Sequence, residues 1–230
     1  MKSISKKNHV YLMPGMAANP KIFEYIKFAE DQFEVHLLDW KIPGKNESLE
    51  DYSERIAEDV TEPNPVLIGV SFGGVIVQEI SKILNTARVI IISSIKSKDE
   101  LPPRLKFLGR TGMDRILPTF LAPFAADLHK YPTGRRIRKR AELYHRYMSN
   151  TDKNYLDWSI HNLVNWRQED PLQGVIHIHG DRDIILPIKN IDGCILVKGG
   201  THVMIVDRFR WFNENLPKLI LNGIANAKID

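Results

Sequence analysis

The run Gly69-Val70-Ser71-Phe72-Gly73-Gly74 sets a serine between glycines two residues away on either side. A sharp turn at this point would lift the Ser71 hydroxyl clear of the backbone, and only small residues at those flanking positions let the chain turn so tightly. A helix starting directly after the serine would aim free N–H groups, and the positive end of its dipole, at negative charge developing on a bound group. The same Gly-rich turn could also cradle a phosphate. A serine nucleophile needs a base, and the base needs an orienting acid. Two later segments hold those residue types. His179-Gly180-Asp181-Arg182-Asp183-Ile184-Ile185-Leu186-Pro187 offers two competing carboxylates, and Gly199-Gly200-Thr201-His202 offers a histidine. The chemistry implied is acyl transfer through an activated hydroxyl.

These groups lie far apart in the chain, so the elements between them must converge. Short apolar runs alternate with helical patterns. Strands are expected at His9–Met13, Phe33–Trp40, Val66–Val70, Ala87–Ser93, Val175–Ile178 and Cys194–Val197. Helices are expected at Asn19–Glu30, with Asn19 as N-cap and Pro20 at the first position, at Ser48–Val60, at Phe72–Leu84 and at Met204–Leu221. Pro217 should break or kink the last of these. The alternation, with Val/Ile/Leu-rich strands such as Val89-Ile90-Ile91-Ile92, argues for a parallel sheet covered on both faces. Ser71, the two aspartates and His202 then all follow the C-terminal ends of strands, where sites assemble in such sheets.

With the motifs in this order, the chain resembles the α/β-hydrolase family, in its serine-hydrolase, esterase-like branch. The resemblance covers residues 9–95 and 172–222. It implies an α/β-hydrolase fold: a compact, mostly parallel six-stranded sheet with helices on both faces and a helical lid insertion. It also implies that His-Gly-x-x-Asp-x-x-x-Pro places the acid at Asp183, with Pro187 in register, so that Ser71, Asp183 and His202 form the catalytic triad. Asp181 is left to stabilise a turn, and His179 to bond nearby backbone. The loop after the first strand, Met13-Pro14-Gly15-Met16, takes the place of the family's oxyanion loop, with Pro14 where a histidine is usual. The oxyanion donors implied are the N–H groups of Met16 and Phe72. The family also includes lyases, haloperoxidases, acyltransferases and receptors, so the fold does not select the reaction. A dehalogenase would need an aspartate where this chain has Ser71. The leading expectation is cleavage of a carboxylic ester. A thioesterase or lyase acting on an anionic acyl substrate and a catalytically silent ligand-binding protein are the alternatives.

Residues 99–170 break the strand–helix rhythm. Prolines and helical apolar spacing, as in Ile116, Phe120, Leu121 and Phe124, mark a helical insertion, expected as a lid between the fourth and fifth strands of a single domain spanning 1–230. Residues 100–170 hold 13 Lys+Arg against 8 Asp+Glu, and the remainder 19 against 20, so the net charge of +4 is concentrated there. The run Arg135-Arg136-Ile137-Arg138-Lys139-Arg140 is either a solvated helix face or a patch for an acidic substrate. Nothing in it matches a nucleic-acid motif. Leu105, Phe107 and Leu117 offer apolar surface either to a pocket or to packing.

No apolar run approaches the roughly 20 residues needed to span a bilayer, and no signal-peptide core follows Met1–Asn8. The single cysteine, Cys194, forbids an intrachain disulfide and is expected to pack in its strand. A reducing, cytoplasmic setting follows as an expectation. No two histidines have the spacing of H-E-x-x-H, so neither metal nor other cofactor is expected. The expected partner is a small-molecule acyl substrate.

Overall fold

The computed structural model describes residues 7–112, 146–148 and 152–226. Six strands, β1 (Asn8–Met13), β2 (Phe33–Leu37), β3 (Val66–Val70), β4 (Arg88–Ile92), β5 (Ile176–Gly180) and β6 (Ile195–Val197), form one sheet in the order β2-β1-β3-β4-β5-β6. All five pairings are parallel. The chain runs from β1 outward to β2, then returns to place β3 on β1's other side. Strand order therefore reverses at the β1–β3 boundary, and the loops leaving these two strands flank the crevice where parallel sheets bind their ligands.

The pleat divides the core in two. Tyr11, Met13, Leu67, Val89 and Ile91 point to one face, and Val10, Leu12, Ile68, Ile90 and Ile92 to the other. The first face is covered by helices α1 (Leu49–Ala57), α2 (Phe72–Ile83), α3 (Pro103–Thr111) and α4 (Lys153–Val164). The second is covered by a 3-10 turn (Pro20–Phe23) and by α5 (Met204–Asp207) and α6 (Phe209–Asn226). Helix α1 starts where Ser48 caps it, its Oγ accepting from the Asp51 N–H at 3.0 Å. Among the described residues, no helix is long and apolar enough to cross a membrane.

Three expectations need correction. The helix expected at Asn19–Glu30 is only the single 3-10 turn, capped as anticipated by Asn19. Tertiary bonds take over the backbone groups a longer helix would use: the Lys27 N–H donates to Asn213 Oδ1 at 2.8 Å, and Asn213 Nδ2 donates to the Tyr25 carbonyl at 2.9 Å. Pro217 does not end its helix. The chain leaves helical geometry between α5 and α6 and again at Gly223, whose φ is +68°. Cys194 is only half-buried, because β6 is an edge strand and Leu196 beside it is exposed.

Of the 99–170 insertion, α3 and α4 are described and are helical. Leu105, Tyr155, Ile160 and Leu163 bury into the first core face, while Phe107 is exposed. Trp158 packs on Tyr52 with ring centroids 4.3 Å apart, and Trp166 donates to Glu79 Oε1 at 2.7 Å. The basic run 135–140 and Ile116, Leu117, Phe120, Leu121 and Phe124 lie outside the described residues.

Candidate active site

Ser71 sits between the last residue of β3 and the first of α2, with φ +53° and ψ −123°. That is a sparsely populated conformation for any residue with a Cβ, and it survives only where the surroundings force it. Here they do. The Ser71 N–H donates to the Ile92 carbonyl at 2.9 Å, and the Ser71 carbonyl accepts from the Gly74 N–H at 2.9 Å and from Ser94 Oγ at 2.7 Å. The flanking glycines are required by close approach. A Cβ on Gly69 would stand 2.5 Å from the Gly73 carbonyl carbon, and one on Gly73 would stand 2.7 Å from the Met13 carbonyl oxygen. The neighbours in both cases are backbone atoms, which have little room to give.

Asp183 and His202 come from the loops after β5 and β6. The two loops meet where the Arg182 N–H donates to the Gly200 carbonyl at 2.9 Å. His202 Nε2 lies 2.9 Å from Ser71 Oγ, and His202 Nδ1 lies 2.8 Å from Asp183 Oδ2. All three residues are buried, with 7% of Ser71, 4% of Asp183 and 5% of His202 exposed. An ionised carboxylate can only accept, so Nδ1 carries the proton given to Asp183. In the neutral imidazole, Nε2 is then left as an acceptor for the Ser71 hydroxyl.

Asp183 Oδ1 accepts from the N–H groups of Ile185 and Leu186 at 2.8 and 2.9 Å. Burial pushes the Asp183 carboxyl up. Electrostatic attraction to His202 and its hydrogen bond, the Leu186 N–H and His179 outweigh that and hold it below its ordinary value. Asp181 is turned elsewhere and accepts from the Gly199 N–H at 2.6 Å, which fixes the loop leading to His202. His179 is fully buried, and its Nε2 lies 2.8 Å from the Leu186 carbonyl and 3.5 Å from Asp183 Oδ2.

Met16 and Phe72 stand at the two sides of the crevice. The Phe72 N–H is the first of α2, one of the four that a helix leaves without an internal acceptor. The loop carrying Met16 runs against the serine: a Cβ on Gly15 would lie 3.4 Å from Ser71 Cβ. Sequence reasoning missed two residues that shape this loop. Trp40 Nε1 donates to the Gly15 carbonyl at 2.9 Å, joined there by the Ala18 N–H at 3.0 Å. Tyr155 Oη accepts from the Ala17 N–H at 3.2 Å. Trp40 reads in sequence as a strand end and Tyr155 as part of the insertion, and no local spacing ties either to residue 15 or 17. A surface cavity of about 700 Å³ lined by Leu12, Pro20, Phe23, Ile26 and Leu37, among others, touches none of Ser71, Asp183 or His202. It plays no part in this site.

Residues 10–214 match the profile of the alpha/beta hydrolase family. The chain belongs to that family. Its fold is also that of solved structures at low sequence identity. It is similar to a thermophilic esterase from Thermogutta terrifontis (TM-score 0.69, 14% identity, covering 95% of this chain and 91% of that one). It is likewise similar to an esterase from Exiguobacterium antarcticum (TM-score 0.63, 18% identity, 94% and 93% covered). A lipase-esterase related protein from Clostridium acetobutylicum ATCC 824 gives a TM-score of 0.62 at 18% identity, with 94% and 95% covered. No curated protein matches the sequence. Family membership makes the chain a hydrolase-type protein with a small-molecule substrate, and the buried Ser71–His202–Asp183 network is consistent with a catalytic triad.

Proposed function

We propose that this protein is a serine hydrolase that cleaves a carboxylic ester through an acyl-enzyme. The observation that carries the reading is the unbroken hydrogen-bonded line from Ser71 Oγ through His202 to Asp183. As Ser71 Oγ attacks the acyl carbon, its proton passes to His202 Nε2. Asp183 holds the imidazole in the right tautomer and stabilises the imidazolium. His202 then gives that proton to the leaving alcohol as the ester C–O bond breaks. Water, deprotonated by the same imidazole, attacks the acyl-serine and frees the acid and Ser71. Met16 and Phe72 N–H groups stabilise the tetrahedral oxyanion. The pinned Gly15 carbonyl supports the Met16 assignment. The C=O and N–H of a trans peptide point in opposite directions, so a carbonyl held toward Trp40 turns the Met16 N–H away from it. Residues 99–170 act as a lid inserted in a single domain. The esterases among the structural neighbours favour an ester over other acyl compounds.

The test is hydrolysis of short- and medium-chain p-nitrophenyl esters by wild type and Ser71→Ala. A pre-steady-state burst in the wild type that vanishes in the variant is the expected result. Equal turnover in both would remove Ser71 from the mechanism, and no turnover in either would overturn the simple-ester reading.

A further inference from the structure

At the opposite edge of the sheet, near the start of β1, a second group of ionisable side chains converges. His9 on β1 pairs in register with Glu34 on β2, and Tyr11 pairs with His36. Because parallel strands carry every second side chain on one face, His9, Glu34 and His36 emerge together. His9 Nδ1 lies 3.2 Å from His36 Nε2 and 4.0 Å from Glu34 Oε2. One ligating atom from each residue lies within 4.8 Å of the other two.

We propose that His9, His36 and Glu34 bind a divalent transition-metal ion of the zinc type. Two imidazole nitrogens bound tetrahedrally to zinc at about 2.0–2.1 Å sit roughly 3.3 Å apart, which is the separation the two rings already have. Glu34 is half-exposed, so its carboxylate can rotate inward without disturbing the core. Two histidines and one carboxylate suit zinc, nickel or copper rather than magnesium or calcium, which prefer all-oxygen sets.

The surroundings are arranged as outer partners of a metal-bound histidine usually are. Glu62 Oε2 lies 3.6 Å from His9 Nε2, the ring nitrogen facing away from His36. At that distance the carboxylate's charge favours a proton on Nε2, which leaves the Nδ1 lone pair for a cation. His36 is stacked on Tyr11, with ring centroids 4.4 Å apart and planes 14° from parallel, and Tyr11 Oη accepts from the Glu62 N–H at 3.1 Å. Tyr11 thus fixes one ligand ring and the segment that orients the other. On binding, the cation takes the place of the proton between the two rings, and His36 keeps that proton on its Nδ1 by changing tautomer. The ion would tie the edge strand β2 to β1, far from Ser71, and so stabilise the sheet edge without entering the hydrolytic reaction. No sequence motif announces the site, because its ligands are brought together by strand pairing and not by spacing along one helix.

Isothermal titration of tag-free protein with Zn²⁺ tests this, using the His202→Ala variant as background so that the triad cannot bind the metal. One equivalent of Zn²⁺ with micromolar affinity, and no heat from Mg²⁺, is expected. Glu34→Gln should weaken binding several-fold and His36→Gln at least tenfold. Glu34 lies at the surface, so its variant will fold even if His36→Gln does not. Co²⁺ should give a visible absorption band that His9→Gln abolishes. Absence of Zn²⁺ binding, or affinity unchanged in both Glu34→Gln and a folded His36→Gln, would overturn the proposal.

Discussion

At the elbow, backbone packs on backbone: Gly69, Gly73 and the Met13–Pro14 peptides touch with no side chain between them, and Ser71 is held at φ +53° by main-chain bonds on both sides. In the loops carrying Asp183 and His202, buried side chains do the positioning. Asp183 bonds two N–H groups and His202, His179 bonds the Leu186 carbonyl, and Asp181 bonds the Gly199 N–H. The first arrangement is steric and tolerates no added atom. The second is electrostatic and depends on which groups carry protons. The two regions should therefore fail in different ways.

The largest expected effect lies on the electrostatic side. Asp183→Asn keeps the shape but can present an N–H to His202, favouring the wrong tautomer. By the proposed mechanism kcat should fall about 10⁴-fold. Asp181→Asn, whose carboxylate accepts from the Gly199 N–H and no other group among the described residues, should change kcat no more than a few-fold. Steady-state ester kinetics on both variants separate the two carboxylates, and the reverse ranking would transfer the acid role to Asp181.

On the steric side, Gly73→Ala should cost about 3 kcal/mol or more, because overlap with two carbonyl oxygens can be relieved only by moving the elbow itself. Urea unfolding of this variant should show a lower midpoint. A stable Gly73→Ala protein with full activity would mean that the elbow is softer than its contacts imply.

Between these extremes lies Trp40, a side chain that fixes a backbone peptide. Trp40→Phe keeps the ring that stacks on Phe72, with centroids 5.6 Å apart, but loses the bond to the Gly15 carbonyl. Losing a buried hydrogen bond costs about 1–2 kcal/mol. If that bond aims the Met16 N–H, the loss should appear mainly as a kcat lowered roughly tenfold, with KM little changed. A drop in stability with kcat intact would make Trp40 a packing residue only.

The same contrast decides what could be read from sequence. The elbow is local: glycines at fixed offsets around Ser71, at a strand-to-helix junction, state its geometry directly. All six strands were legible too: β3 and β4 are continuous apolar runs buried on both faces, while the partly exposed edge strands β2 and β6 were marked by their place in the strand–helix alternation. The Asn19–Glu30 helix was misjudged because its backbone groups are claimed by Asn213, nearly 190 positions further on. Trp40, Tyr155 and the His9–His36 pair escaped for the same reason, since strand pairing and helix packing created their partners. His179 and Asp181 were placed correctly in kind, as backbone-bonding groups, but the link of His179 to His177 was not seen.

That link gives the smallest effect and the most general test of the electrostatic side. His177 Nε2 lies 3.1 Å from His179 Nδ1, directly behind the acid loop. His179 donates from Nε2 to the Leu186 carbonyl, so its Nδ1 accepts and His177 Nε2 must donate. Both rings must then be neutral. Burial first, and then the repulsion that protonated His177 would meet from a protonated His179 and from Lys96, push His177 well below the ordinary histidine value. Burial likewise lowers His179, with Asp183 pulling the other way. In the unfolded chain both take up protons near pH 6.5, protons that the folded state refuses. Their contribution to stability is thus full above about pH 6.5 and is lost as pH falls toward the folded values, by up to about 1.4 kcal/mol per pH unit for each ring. Urea midpoints should hold steady from pH 8 to 7 and fall from pH 6.5 downward. His177→Gln, which keeps the donor to His179 and cannot titrate, should flatten that fall by about half. An unchanged slope in the variant would mean that His177 does not titrate on unfolding, and that the acid loop owes its placement to backbone bonds alone.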